Sequence, residues 1–324
     1  MPRRTRAFTL LAVTGAAAFV LAGCASSGTD AAASADGIAV VASTNVYAQI
    51  AEEIGGEFVD ATAIVSSTGQ DPHSFEPSAR DQLTVQRADL IMENGGGYDA
   101  FIDALIDSSG SEAPVITAVE FSHDWPDNAG HDAESEGAPT DEHGDHAHVE
   151  GFNEHVWYDP HTVEHLADEL AHELSELLPE HAATFEANAE AFATGAADLE
   201  AALTEIDAAH AGAEVFVTEP VPLYLITSAG LVNATPDAFS EAVEEGQDVS
   251  PSTLLDSLDL LRSGEVSVVI VNSQTGGAET TEVISEADAE GIPVIEFSET
   301  LPDGQTYLSW MKANIEALAG ALEK

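Results

Sequence analysis

The chain has 324 residues, with 59 acidic side chains against 8 Lys and Arg, a formal net charge of −51 and a single cysteine. That charge excludes nucleic acid as a partner, since there is no basic surface to displace counterions from phosphate, and it draws cations toward the protein. One cysteine excludes an internal disulfide and a thiolate cluster, so any bound metal must be held by His, Asp and Glu.

At the N-terminus, Arg3, Arg4 and Arg6 precede an apolar run from Ala7 to Gly23 that stops at Cys24. A basic start followed by a short apolar run is a secretory signal, and the run is shorter than the roughly 20 residues a bilayer span needs. The stretch Leu21-Ala22-Gly23-Cys24 resembles the lipobox at which a bacterial lipoprotein is cleaved and acylated. Residues 1–23 are therefore read as a lipoprotein signal peptide and Cys24 as the lipid attachment, anchoring the protein to the outer face of the cell membrane. Residues 24–36 are small and polar and read as a flexible tether.

Folding is expected to begin near Ile38. Short β-branched runs at Ile38–Ala42, Val59–Val65, Leu90–Met92 and Val115–Thr117 alternate with amphipathic stretches, the pattern of a parallel α/β sheet. The segment 122–150 carries His123, His131, His143, His146 and His148 among Asp, Glu and Gly; it offers no core and is expected to be a surface loop. Val163, Leu166, Leu170, Leu174 and Leu177 then keep helical spacing up to Pro179, and Phe185, Phe192, Leu199, Leu203 and Ile206 continue it. The second of these helices, 181–209, would be about 40 Å long, enough to traverse the molecule. A further α/β set follows, with strands at Val215–Thr218, Val266–Asn272 and Pro293–Phe297 and a closing helix at Ser309–Leu322. The expected fold class is α/β, with two lobes of mainly parallel sheet, 37–180 and 210–324, joined by a long rigid helix.

Two motifs carry chemistry. Asp71-Pro72-His73-Ser74-Phe75-Glu76-Pro77 follows the second strand, where open α/β sheets place ligands. Asn153-Glu154-His155-Val156-Trp157-Tyr158-Asp159-Pro160 follows the His-rich segment, with an aromatic pair to bury its histidine. His161, His165 and His172 fall on the first of the two helices, and 161 and 165 share a face in a spacing that can bind metal, but an ordinary helix surface is the better reading of them. Asn94-Gly95-Gly96-Gly97 lacks the Lys and Ser/Thr of a nucleotide site and reads as a strand-end turn.

With these two motifs, the acidic His-rich segment before the second and the long helix after it, the chain resembles the metal-specific solute-binding lipoproteins of ABC importers, the family of zinc, manganese and iron receptors. The resemblance runs from about Ile38 to Leu322. It implies His73 and His155 as metal ligands and matches Glu219, in Thr218-Glu219-Pro220, to the third. The fourth, normally an aspartate, maps onto Phe297-Ser298-Glu299-Thr300, where the family pattern is broken; Glu299 is the choice and Ser298 the alternative.

Two imidazoles and two carboxylates balance the charge of a divalent ion and accept either zinc or manganese. Carboxylates at two of four positions lean toward manganese. The imidazoles of His131, His143, His146 and His148, read as an auxiliary metal loop, pull toward zinc. The expected function is the extracytoplasmic receptor of an ABC importer, for zinc first and manganese or iron second, a monomer that hands its ion to a membrane permease. Against an enzyme, a metal-dependent hydrolase, stand the absence of a His-Glu-x-x-His helix and of a Gly-x-Ser-x-Gly elbow. An adhesin-like surface lipoprotein is the remaining class.

Overall fold

The computed structural model describes residues 37–67, 69–128 and 151–324. Two four-stranded sheets, every pairing parallel, organise the chain. The first contains β1 (Ile38–Thr44), β2 (Val59–Val65), β3 (Leu90–Glu93) and β4 (Val115–Thr117) in the order β2-β1-β3-β4. Its helices are α1 (Asn45–Gly55), α2 (Ala79–Val85) and α3 (Ala100–Ser109). After α4 (Pro160–Leu177) and α5 (Ala182–His210) comes the second sheet: β5 (Glu214–Val217), β6 (Val232–Asn233), β7 (Val266–Asn272) and β8 (Val294–Phe297), ordered β6-β5-β7-β8. It carries α6 (Leu223–Ser228), α7 (Asp237–Glu244), α8 (Pro251–Ser263), α9 (Ala278–Glu290) and the closing α10 (Tyr307–Leu322).

The apolar runs of β1, β3, β5 and β7 form the central strands, covered on both faces, so their apolar residues need not alternate with polar ones, whereas edge strand β2 alternates over its first residues. The period of two instead assigns them to different cores. Val40 and Ala42 of β1, Val215 and Val217 of β5, and Val268 and Ile270 of β7 all belong to one cluster. Between them, Phe216, Val269 and Val271 face α7, α8 and α9 through Phe239, Leu261 and Val283. Val41 and Ile91 face α2 and α3 through Val85, Phe101 and Ile102. The shared cluster also takes in Tyr47, Leu166, Phe192, Tyr307 and Trp310, so one apolar core joins both sheets to α1, α4, α5 and α10.

Helix α4 starts where Asp159 accepts a hydrogen bond from the His161 backbone N–H, with Pro160 in the first turn, a start that satisfies orphan donors and uses the fixed φ of proline. Helix α5 has 29 residues, and its buried positions Phe185, Ala189, Phe192, Ala196, Leu199, Leu203 and Ile206 form one seam. That seam packs on α1, α4, α6 and α10, so a single helix of about 44 Å touches elements of both sheets. Each sheet sends its strands' carboxyl ends into loops that carry the site, the usual place for ligands in open α/β sheets.

Candidate metal centre

His73 lies beyond the carboxyl end of β2 in a loop shaped by Asp71, whose Oδ1 accepts from the His73 N–H at 2.9 Å and whose Oδ2 accepts from Ser74 Oγ at 2.8 Å. Gln274, just after β7, donates to the Gln70 carbonyl at 2.8 Å and ties this loop to the second sheet. The ring stands edge-on to Tyr98, with centroids 4.7 Å apart.

His155 is 1% exposed. Its Nδ1 lies 2.8 Å from Asn153 Oδ1, a contact that holds the proton on Nδ1 and leaves Nε2 as the atom that could hold a metal. The Trp157 ring packs 5.2 Å away. The short helical turn Val156–Tyr158 is fixed from beneath: Tyr158 donates to the Ser298 carbonyl at 2.6 Å, and Tyr307 of α10 donates to the Trp157 carbonyl at 2.9 Å. The Gly-rich turn after β3 serves the same purpose. Asp99 accepts from the backbone N–H groups of Asn94 and Gly95, and Asn94 donates to the Glu154 carbonyl next to His155. Gly95 holds φ +79° against Thr117, where a Cβ would collide with the threonine methyl.

The acids come from the second sheet. Glu299, after β8, is 0% exposed; it accepts from Asn272 Nδ2 at 2.7 Å and from the Tyr98 hydroxyl at 3.1 Å, and its Oε2 is 3.8 Å from His73 Nε2. Ser298 turns away and donates to the Thr300 carbonyl. Glu219, after β5 and 3% exposed, accepts from Thr275 and, at 3.0 Å, from the same Asn272 amide. Glu244, the last residue of α7, approaches from the cavity side. One ligand atom each of His73, His155 and Glu244 lie within 4.8 Å of one another. A tetrahedral zinc shell with bonds of about 2.1 Å needs its ligands about 3.4 Å apart, so closure by an ångström or so brings these three onto one ion.

Electrostatics suit a cation. Burial, followed by the charges of Glu219 and Asp71, pushes the Glu299 carboxyl up to about 8, and Asn272 and Tyr98 offset only part of this. Burial and then Glu154, Glu219 and Glu299 push Glu244 up to about 8 as well. Glu219 is raised, first by burial. Crowded carboxylates without a compensating cation are costly, and a divalent ion reverses that sign. A cavity of about 1200 Å³ leads to His73 between walls bearing Asp71, Glu154, Glu241, Glu244, Asp248 and Glu279.

His73, His155 and Glu299 are thus brought together, and Glu219 shares the amide of Asn272 with Glu299. Glu244, Asn272, Thr275 and Tyr98 escaped the sequence reading. Glu244 stands in an ordinary acidic run, Glu241 to Glu245, and nothing in that run marks one carboxylate as inward-facing. Cys24, His131, His143, His146 and His148 lie outside the described residues.

Residues 40–321 match the family model ZnuA, described as "Zinc-uptake complex component A periplasmic". The chain belongs to this family. Its members are metal-specific solute-binding proteins of ABC importers, receptors and not enzymes. The chain is similar to the manganese ABC transporter substrate-binding lipoprotein scaA of Streptococcus gordonii, 27% identical over 322 residues, covering 95% of this chain and 96% of the relative. It is 26% identical to the iron ABC transporter substrate-binding lipoprotein MtsA of Streptococcus pyogenes serotype M1, covering 94% and 95%. The solved mutant structure of the laminin-binding adhesin Lmb of Streptococcus agalactiae shares the fold, with a TM-score of 0.69 and 24% identity over 88% of this chain and 100% of that one.

Proposed function

We propose that this protein captures a zinc ion on the outer face of the membrane and presents it to the permease of an ABC importer, with lipid on Cys24 as its anchor. His73 and His155 supply the imidazoles, and Glu219, Glu244 and Glu299 supply the carboxylates. The observation that carries this reading is the convergence of His73, His155 and Glu244 within 4.8 Å, with Glu299 3.8 Å from His73. Acidic residues along the cavity concentrate cations at its mouth. Each ligand binds in its deprotonated form, so capture releases protons from the raised carboxyls. The long helix α5, packed on elements of both sheets, limits hinge opening, so ion capture works through side chains and loops.

Zinc is placed first because a site of fixed N and O donors binds it more tightly than manganese or iron(II). Manganese is the second reading. Three carboxylates form a hard donor set, and a relative of nearly the same length is named for manganese. Elemental analysis of the protein after competition between equal zinc and manganese tests the assignment. Zinc at one equivalent is expected; one equivalent of manganese would reverse the order, and no tightly held ion would remove the receptor reading.

A further inference from the structure

A second group of metal-ligating side chains lies outside the centre described above. We infer that His123, Asp159 and His161 form a separate, solvent-facing site for a borderline divalent ion such as zinc. One ligand atom of each lies within 4.8 Å of the other two. His123 Nδ1 is 3.7 Å from Asp159 Oδ2, and the rings of His123 and His161 stand 6.4 Å apart and nearly perpendicular. Both histidines are exposed, whereas the aspartate is buried, only 4% exposed.

The geometry is held in place by the fold. Asp159 is the N-cap of α4, accepting from the His161 N–H at 3.3 Å and from Thr162 Oγ1 at 2.6 Å, so its carboxylate keeps one orientation. His123 is carried on the turn after Ser122, where Trp125 N–H bonds the Ser122 carbonyl and Asn128 donates to the carbonyls of Glu120 and Ser122. Its other ring nitrogen, Nε2, lies 3.4 Å from Asp124 Oδ1. A carboxylate on the far nitrogen of a ligating imidazole fixes the tautomer and raises ligand basicity, and here it directs the Nδ1 lone pair toward Asp159 and His161. His165, one helical turn on, stacks edge-on to His161 at 4.7 Å.

Two imidazoles and one carboxylate select zinc, nickel or copper over calcium and magnesium, which need more oxygen ligands. Three protein donors leave positions for water, and exposure makes exchange fast, so the site is weaker than the central one. The helix N-terminus also opposes a cation, and the Asp159 carboxylate offsets that opposition.

The test uses the full chain and zinc chloride. Histidine modification with diethylpyrocarbonate, read residue by residue by mass spectrometry, is measured with and without several zinc equivalents. Zinc is expected to slow modification of His123 and His161 together, by at least about fivefold, and His161→Ala is expected to abolish protection of His123. Calorimetry should show the tight first equivalent unchanged in His123→Ala and in His161→Ala, with one weaker equivalent lost. Equal modification rates with and without zinc would overturn the proposal, as would His123 protection that survives His161→Ala. Loss of the tight equivalent alone, in variants of the central residues, bears only on the central site.

Discussion

His73 Nε2 and Glu299 Oε2 lie 3.8 Å apart, although one residue follows the second strand of the chain and the other follows the last. The Tyr98 hydroxyl, bonded to the same Glu299 oxygen, and the Tyr98 ring, edge-on to His73, bridge the two sheets at this point. A cation placed here joins an imidazole from the first sheet to a carboxylate from the second.

Removing an imidazole should therefore remove the ion. His155→Ala is expected to weaken zinc binding by more than about a hundredfold, exceeding the roughly 10- to 100-fold cost of losing a supporting partner, while circular dichroism stays native. Stoichiometric tight binding by the variant would take His155 out of the shell.

In the proposed site, Asn153 would act on the ion only through His155. Its Oδ1 holds His155 Nδ1 at 2.8 Å, and its amide donates to the Pro220 carbonyl at 3.1 Å, tying the loop to the second sheet. Asn153→Ala should cost roughly 10- to 100-fold in zinc affinity, less than His155→Ala. An affinity equal to wild type would mean the ring keeps its orientation by packing alone.

Glu244→Gln separates ligation from stability. In the ion-free protein near neutral pH, Glu244, raised to about 8 first by burial, must hold a proton that the unfolded chain has lost; Gln removes that cost, so the thermal midpoint should hold or rise. A tenfold loss of affinity corresponds to about 1.4 kcal/mol, and the zinc-induced gain in stability should shrink accordingly. An undiminished zinc-induced shift would assign the carboxylate set to Glu219 and Glu299.

Asp99, in the turn beneath the site, gives a pH dependence of its own. Burial raises its carboxyl from 3.8 to about 6, against the hydrogen bonds from Ser43, Asn94 and Gly95. Because the folded carboxyl keeps its proton over a range where the unfolded one has lost it, stability is highest below about 4 and falls as pH rises through about 6. That gap corresponds to about 3 kcal/mol. Urea unfolding of the ion-free protein between pH 4 and 7, with Asp99→Asn as reference, should show wild type losing ground by an amount of this order. A constant difference between the two proteins would mean that Asp99 is ionised throughout.

Gly230 turns the chain from α6 into β6 at φ +66°, pressed against the Asp207 carboxylate of α5. Gly230→Ala puts a Cβ at a left-handed φ and must push the exposed Asp207 side chain aside, and should destabilise by about 1 to 2 kcal/mol. A urea midpoint unchanged at constant slope would contradict this.

The sequence by itself determined the α/β class, because short β-branched runs alternate along the chain with amphipathic stretches at helical spacing. It also determined the two loop histidines, whose flanking Pro, Asn and Trp residues form recognisable local patterns. The two-residue strand β6 went unread, since Val232 is exposed and carries no periodic signal. Only the tertiary structure decided which of 59 acidic side chains face the histidines. Glu299 rather than Ser298 points inward because Tyr158 and Thr300 hold the serine elsewhere, and Glu244 arrives through the packing of α7 on its sheet. Helix and strand signals are local, set by neighbours a few positions away. The approach of carboxylates from two loops and the end of a helix depends on how two sheets share one core, and no short stretch of sequence encodes that distance.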